Sequence, residues 1–124
     1  MSYKIIGKYI KKLNFNIPNA KTFFLLSKYI SNYKIGIDIK STQVKDNIIE
    51  VLTTLSLTTS KEDFEKIDTK IVYSAVVEFN NNKISKEEME KIILIKVPSE
   101  IYSELRLIFI FLFENSGFKD VKIN

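Results

Sequence analysis

The chain of 124 residues has no cysteine, no histidine and no tryptophan, and it holds only three glycines, two prolines and one arginine. Each absence excludes something. Without cysteine there is no disulfide and no thiol nucleophile, and without cysteine and histidine there is no zinc site of the usual kind and no histidine-based triad. Any acid–base chemistry would fall to Asp, Glu, Lys, Ser or Tyr, and no pair of carboxylates stands out for it. The reading is therefore of a protein that is not an enzyme and needs no cofactor or metal. Scarce glycine and proline leave no room for long flexible linkers. The longest unbroken apolar run, Leu107 to Phe113, has seven residues, against the roughly 20 that a membrane-spanning helix requires. No apolar stretch of a secretory signal follows Met1-Ser2-Tyr3-Lys4, so the expected location is cytoplasmic.

What is present suits one globular domain, 1–124, with 45% hydrophobic and 27% charged residues. Net charge is +4. Lys, Ile, Asn, Phe and Tyr together supply 63 of the 124 residues, the bias of an A/T-rich coding sequence, which weakens lysine abundance as a sign of nucleic-acid binding. The charge is uneven all the same. Residues 1–45 carry nine lysines and one acidic residue, Asp38, whereas 46–124 carry ten basic and fourteen acidic residues. Such opposition fits packing of the two halves, self-association or an anionic partner.

Alternation marks four strands. Leu13, Phe15 and Ile17 alternate with polar neighbours, while Ile6 and Ile10 stand out of phase, so residues 3–17 read as a strand with a bulge near Lys11-Lys12. Pro18-Asn19 ends it. Residues 20–32, with Phe23, Phe24, Leu25, Leu26, Tyr29 and Ile30, read as a short amphipathic helix or an irregular crossover. Ile35, Ile37 and Ile39 alternate with Lys34, Gly36, Asp38 and Lys40 in a second strand. A turn at Lys45-Asp46-Asn47 leads to a third strand, with Ile49, Val51, Leu55 and Leu57 on one face. Ser60 to Asp63 reads as a hairpin loop, and a fourth strand runs from about Phe64 to Phe79. Short connections favour an antiparallel meander.

The remainder reads as helix. Ser85 and Glu88 form a capping box, flanked by the staple pair Ile84 and Met89, so a short helix spans about 86–95. Val97-Pro98-Ser99 is expected to break it, with a second helix from Ser99 stopped by Ser116-Gly117. Residues 107–113 are apolar all round, which implies burial on more than one side and a second subunit to supply the other layer. A buried fifth strand is the rival reading of 107–113. The fold class is α+β: a four-stranded antiparallel sheet, a long crossover after strand 1, then a short and a long C-terminal helix.

This order, together with several motifs, resembles the SecB export-chaperone family. The first strand ends Phe15-Asn16-Ile17-Pro18-Asn19-Ala20, like the family's Phe, two residues, then Pro-Asn-Ala. Ile37-Asp38-Ile39 matches its apolar-Asp-apolar second strand, and Tyr73-Ser74-Ala75-Val76-Val77-Glu78-Phe79 the end of its fourth. Pro98 and Arg106 keep the eight-residue spacing of its long helix. The likeness covers roughly 5–124. It implies a homotetramer, a dimer of dimers with long helices between two sheets. It also implies an ATP-independent holdase that binds unfolded polypeptides or preproteins in apolar grooves.

By position, the resemblance implies that Ile35, Ile37 and Ile39 are client-binding, with Phe23, Phe24 and Tyr29 in the crossover beside them. From alternation alone, the three isoleucines read as plain core rather than a groove, and only the resemblance points to client binding. Thr69, Ile71, Tyr73, Arg106 and Phe109 are the implied oligomer-interface positions, Arg106 serving a structural role. Where the family carries acidic residues that dock the SecA motor's basic tail, this chain has Lys12, Asn16 and Lys70. It also stops at Asn124, where family members continue into another helix and an acidic tail. Some SecB-like proteins hold an antitoxin of a toxin–antitoxin system, and that is the alternative role. A remoter alternative is a basic nucleic-acid-binding module in which Lys4, Lys8, Lys11 and Lys12 with Tyr3 and Tyr9 track phosphates. One arginine and no recognition helix weigh against it.

Overall fold

The computed structural model describes residues 3–29, 33–59, 68–80 and 84–118. Four antiparallel strands, β1 (Tyr3–Asn16), β2 (Tyr33–Lys45), β3 (Ile48–Thr59) and β4 (Asp68–Phe79), form one sheet in the order β1-β4-β3-β2. Three of them make the expected meander. Helix α1 (Ala20–Tyr29) carries the chain from one edge strand to the other. The helix alternative for the crossover therefore holds. Asn19 caps it, accepting from the Thr22 amide through Oδ1 at 2.8 Å, and the Asn19 carbonyl takes the Phe23 amide at 3.1 Å. The expected hairpin loop at 60–63 and the start of the fourth strand at 64–67 lie outside the described residues.

β1 stays in phase by two bulges where one was expected. Register shifts fall between Ile5 and Gly7 and between Ile10 and Lys12. Tyr3 and Ile5, then Lys8 and Ile10, then Leu13 and Phe15 thereby pair with the alternate β4 residues that face the core. The first shift moves Lys8 to the helix-covered side of the sheet, which the spacing of apolar residues alone did not signal.

The C-terminal helices cover one face. Ser85 caps α2 (Lys86–Lys91), its Oγ accepting from the Glu88 amide at 3.1 Å, with Ile84 and Met89 half-buried against the core. Pro98 does not break the helix, contrary to expectation. The chain widens into a π-turn over Ile92–Lys96 and continues directly into α3 (Val97–Glu114), with Pro98 in its first turn. The Val97 amide reaches back five residues to the Ile92 carbonyl. A widened turn just before a proline relieves the clash of its ring with the preceding turn, and Pro98 has no amide to leave unpaired. Residues 107–113 are helix, which excludes the fifth-strand reading.

On α3, Val97, Ile101, Leu105, Phe109 and Phe113 recur every four residues and are all essentially buried. They meet Val51, Leu55, Ile71, Ala75 and Val77 of the two central strands, also fully buried. Each such side chain contributes about 1.5–3 kcal/mol of burial. At the helix end Gly117 takes φ 101°, which turns the chain so that the Phe118 amide reaches the Phe113 carbonyl at 3.1 Å. Phe118 then closes an aromatic cluster: Phe23 lies 4.8 Å from it, Phe113 5.5 Å, and Phe15 4.9 Å from Phe113. That cluster pins α1 to the end of α3.

Candidate functional site

Cover is unequal across the sheet. α3 packs on β3 and β4, and β1 is tied to it by polar tethers. Tyr3 Oη donates to Glu100 at 2.8 Å and Lys8 Nζ to Glu104 at 2.7 Å, and from β4 Tyr73 Oη also donates to Glu104, at 3.3 Å. Burial, then the Glu100 hydrogen bond, pushes the Tyr3 hydroxyl up to about 12. The hydrogen bond from Lys8 holds Glu104 below the usual carboxylate range.

β2, at the far edge, lacks this cover. Ile35, Ile37 and Ile39 pair with Leu57, Leu55 and Thr53, so all three stand on the core-facing side. Ile35 and Ile39 are half-buried against the core, but Ile37 is 54% exposed although its partner Leu55 is fully buried. The result is an apolar strip on the inner side of an edge strand, beyond the reach of the helix. On the crossover helix, Phe24 is 68% exposed. Phe23 is half-buried, with its ring 5.6 Å from Phe24, and Tyr29 is half-buried with Lys28 Nζ 5.2 Å from its ring centroid. Leu26 and Thr22, both buried, anchor α1 beneath.

The positions implied for assembly divide. Thr69, Ile71, Tyr73 and Phe109 are covered within the subunit itself. An effect of these four on assembly would pass through the packing of β4 against α3. Arg106 is half-buried on α3. The open apolar surface lies elsewhere, on Leu107 and Phe111 along the outward side of α3, on Leu94 and Ile95 of the π-turn, and on Ile6, Ile10 and Leu13 of edge strand β1. The all-apolar composition of 107–113 signalled this helix surface, but residue type alone did not separate the outward Leu107 and Phe111 from the inward Phe109.

Lys12, Asn16 and Lys70 lie on β1 and β4, Lys12 and Asn16 exposed and Lys70 half-buried. Of the four lysines named for a phosphate-tracking face, Lys4, Lys8 and Lys11 are engaged, and they do not share one side of the sheet. Lys8 lies on the helix side, against Glu104. Lys4 meets Glu78 at 3.4 Å, and Lys11 meets Glu50 at 3.6 Å. Glu50 also accepts from Tyr9 and from Ser74, at 2.8 Å for the latter, and these bonds lower its pKa. No helix among the described residues is long and apolar enough to cross a membrane.

These features define a class: an α+β sheet-and-helix subunit that leaves apolar surface open on both edge strands and along its long helix. Comparison with known proteins narrows it. The family model described as "Preprotein translocase subunit SecB" matches residues 1–124. A curated relative, "Putative protein-export protein SecB" of Pelagibacter ubique, is 40% identical over 121 residues, covering 98% of this chain and 86% of that protein. The chain belongs to the SecB family of protein-export chaperones.

Proposed function

We propose that this chain is an ATP-independent holdase that keeps unfolded polypeptides or preproteins from aggregating before export, in the cytoplasm and without a catalytic group. The observation that carries this reading is Ile37, more than half exposed on the side of β2 where its neighbours are core. Holding a non-native chain needs open apolar surface that tolerates many side chains, and each Å² covered contributes about 25 cal/mol. Ile35, Ile37 and Ile39 form the floor of the client groove, with Phe24 and Tyr29 of the crossover beside it. The working form is a homotetramer, a dimer of dimers. Exposed apolar residues on edge strand β1 and on the outer side of α3 are what sister subunits would cover, and several grooves per assembly sum weak contacts into avidity. Lys12 and Lys70 weaken docking of a basic SecA tail at those positions, because like charges repel.

Light scattering of a chemically unfolded client, with solution mass measured on the same sample, tests the proposal. Suppressed aggregation by a tetramer is the expected result. A monomer that leaves aggregation unchanged would refute it.

A further inference from the structure

The second face of the sheet carries no helix among the described residues, and its cross-strand rows can be read from the register. One row runs Lys12–Val72–Thr54–Asp38, the next Asn14–Lys70–Ser56–Gly36, and the row on the other side Tyr9–Ser74–Leu52–Lys40. A shallow depression of ≈ 390 Å³ lies among them, lined by Asp38, Lys40, Leu52, Thr54, Lys70 and Val72. Its floor is apolar at Leu52 and Val72, both half-buried.

The charges around it are unbalanced. Glu78 and Glu50, carboxylates farther along this face, are engaged by Lys4 and Lys11, and Asp68, paired with Asn16, falls at the opposite end of β4, beyond the depression. Asp38 is left as the carboxylate at the depression, against Lys40 and Lys70 on its rim and Lys12 beside Val72. With strands about 4.8 Å apart and residues rising about 3.4 Å, Lys12 and Lys70 stand roughly 8 Å apart at their backbones, and Lys40 about 16 Å from either. An extended segment of about five residues spans that distance. Lys12 and Lys70 stand side by side at one end of that span and Lys40 at the other; because alternate side chains of an extended segment point the same way, an acidic residue at each end and an apolar one midway between them face the sheet together.

We propose that this open face docks an extended acidic segment of a partner protein, its carboxylates on Lys12, Lys40 and Lys70 and its apolar side chains on Leu52 and Val72. This surface is separate from the Ile37 strip, which lies on the opposite face of the sheet, and the proposal does not depend on client holding.

The test is fluorescence anisotropy with a labelled Glu-Ser-Leu-Ser-Glu peptide, whose two acidic residues and central leucine share one face when extended, a Lys-Ser-Leu-Ser-Lys counterpart and an oligo-dT strand. The acidic peptide should bind the assembled protein, and more tightly at low salt. Lys12→Glu with Lys70→Glu should weaken it by about tenfold or more and favour the lysine peptide, whereas Lys70→Arg should retain binding. Suppression of client aggregation should persist in the double variant, with circular dichroism confirming the fold, and Ile37→Asp should leave peptide affinity unchanged. Equal binding of the two peptides overturns the proposal. So does a folded double variant with unaltered affinity, a loss caused by Ile37→Asp, or displacement of the peptide by oligo-dT through the same lysines, which would make the face a polyphosphate site.

Discussion

Ile37 and Leu55 are cross-strand partners on the same side of the sheet, yet one is 54% exposed and the other fully buried. Truncating each to alanine separates folding from holding. Leu55→Ala opens a cavity under α3 and should cost about 2–5 kcal/mol of stability. Ile37→Ala removes a side chain that is already half in water, so its stability cost should be less than half as large. For client binding the order reverses. Covering the exposed half of Ile37 contributes about 1 kcal/mol, half of a full isoleucine burial. Losing it should weaken a single groove roughly fivefold, and a client spanning two grooves roughly 25-fold. Urea melts give the stabilities, and anisotropy of a labelled unfolded client gives the affinities under conditions where both variants are folded. If Ile37→Ala binds clients like the parent chain, or destabilises as much as Leu55→Ala, the strip is ordinary core and the groove assignment fails.

Three further outcomes are expected. Phe111→Glu places a charge on the outward side of α3, where Phe111 is exposed, and should reduce the solution mass of the assembly while leaving the helical signal intact, as read by light scattering and circular dichroism. Gly117→Ala should lower the melting temperature, because φ is 101° there and an added Cβ would sit 3.2 Å from the Phe23 ring; left-handed backbone costs about 1–2 kcal/mol in a non-glycine residue. Glu50 has its pKa lowered by its hydrogen bonds from Tyr9 and Ser74, so it stabilises the fold above its unfolded value near 4.5 and that contribution disappears as pH falls through the folded value. Glu50→Gln should flatten this acid limb in melts followed below pH 5.

The order of the elements was legible in the sequence because each depends on local pattern. Period-two alternation marked β2 and β3, Ser85 and Glu88 marked the start of α2, and Gly117 marked the end of α3. Pro98 misled, since a proline tolerated at the first turn of a helix reads like one that ends it, and the π-turn before it depends on five-residue hydrogen bonds that residue types do not encode. The second bulge in β1, near Ile6, was hidden because its effect is to move Lys8 toward Glu104, a contact 96 residues away in the chain.

The sequence by itself determined that the chain folds as a sheet followed by helices, that it lacks the residues of zinc, thiol and histidine chemistry, and that its motifs resemble one chaperone family. It could not say which apolar residues stay open. Ile35, Ile37 and Ile39 alternate identically, and Leu107, Phe109 and Phe111 are alike in type, yet exposure differs sharply within each set. That difference arises only in three dimensions, because α3 is wide enough to cover the two central strands and buries one side of itself in doing so, leaving the edge strand and its own outer side uncovered.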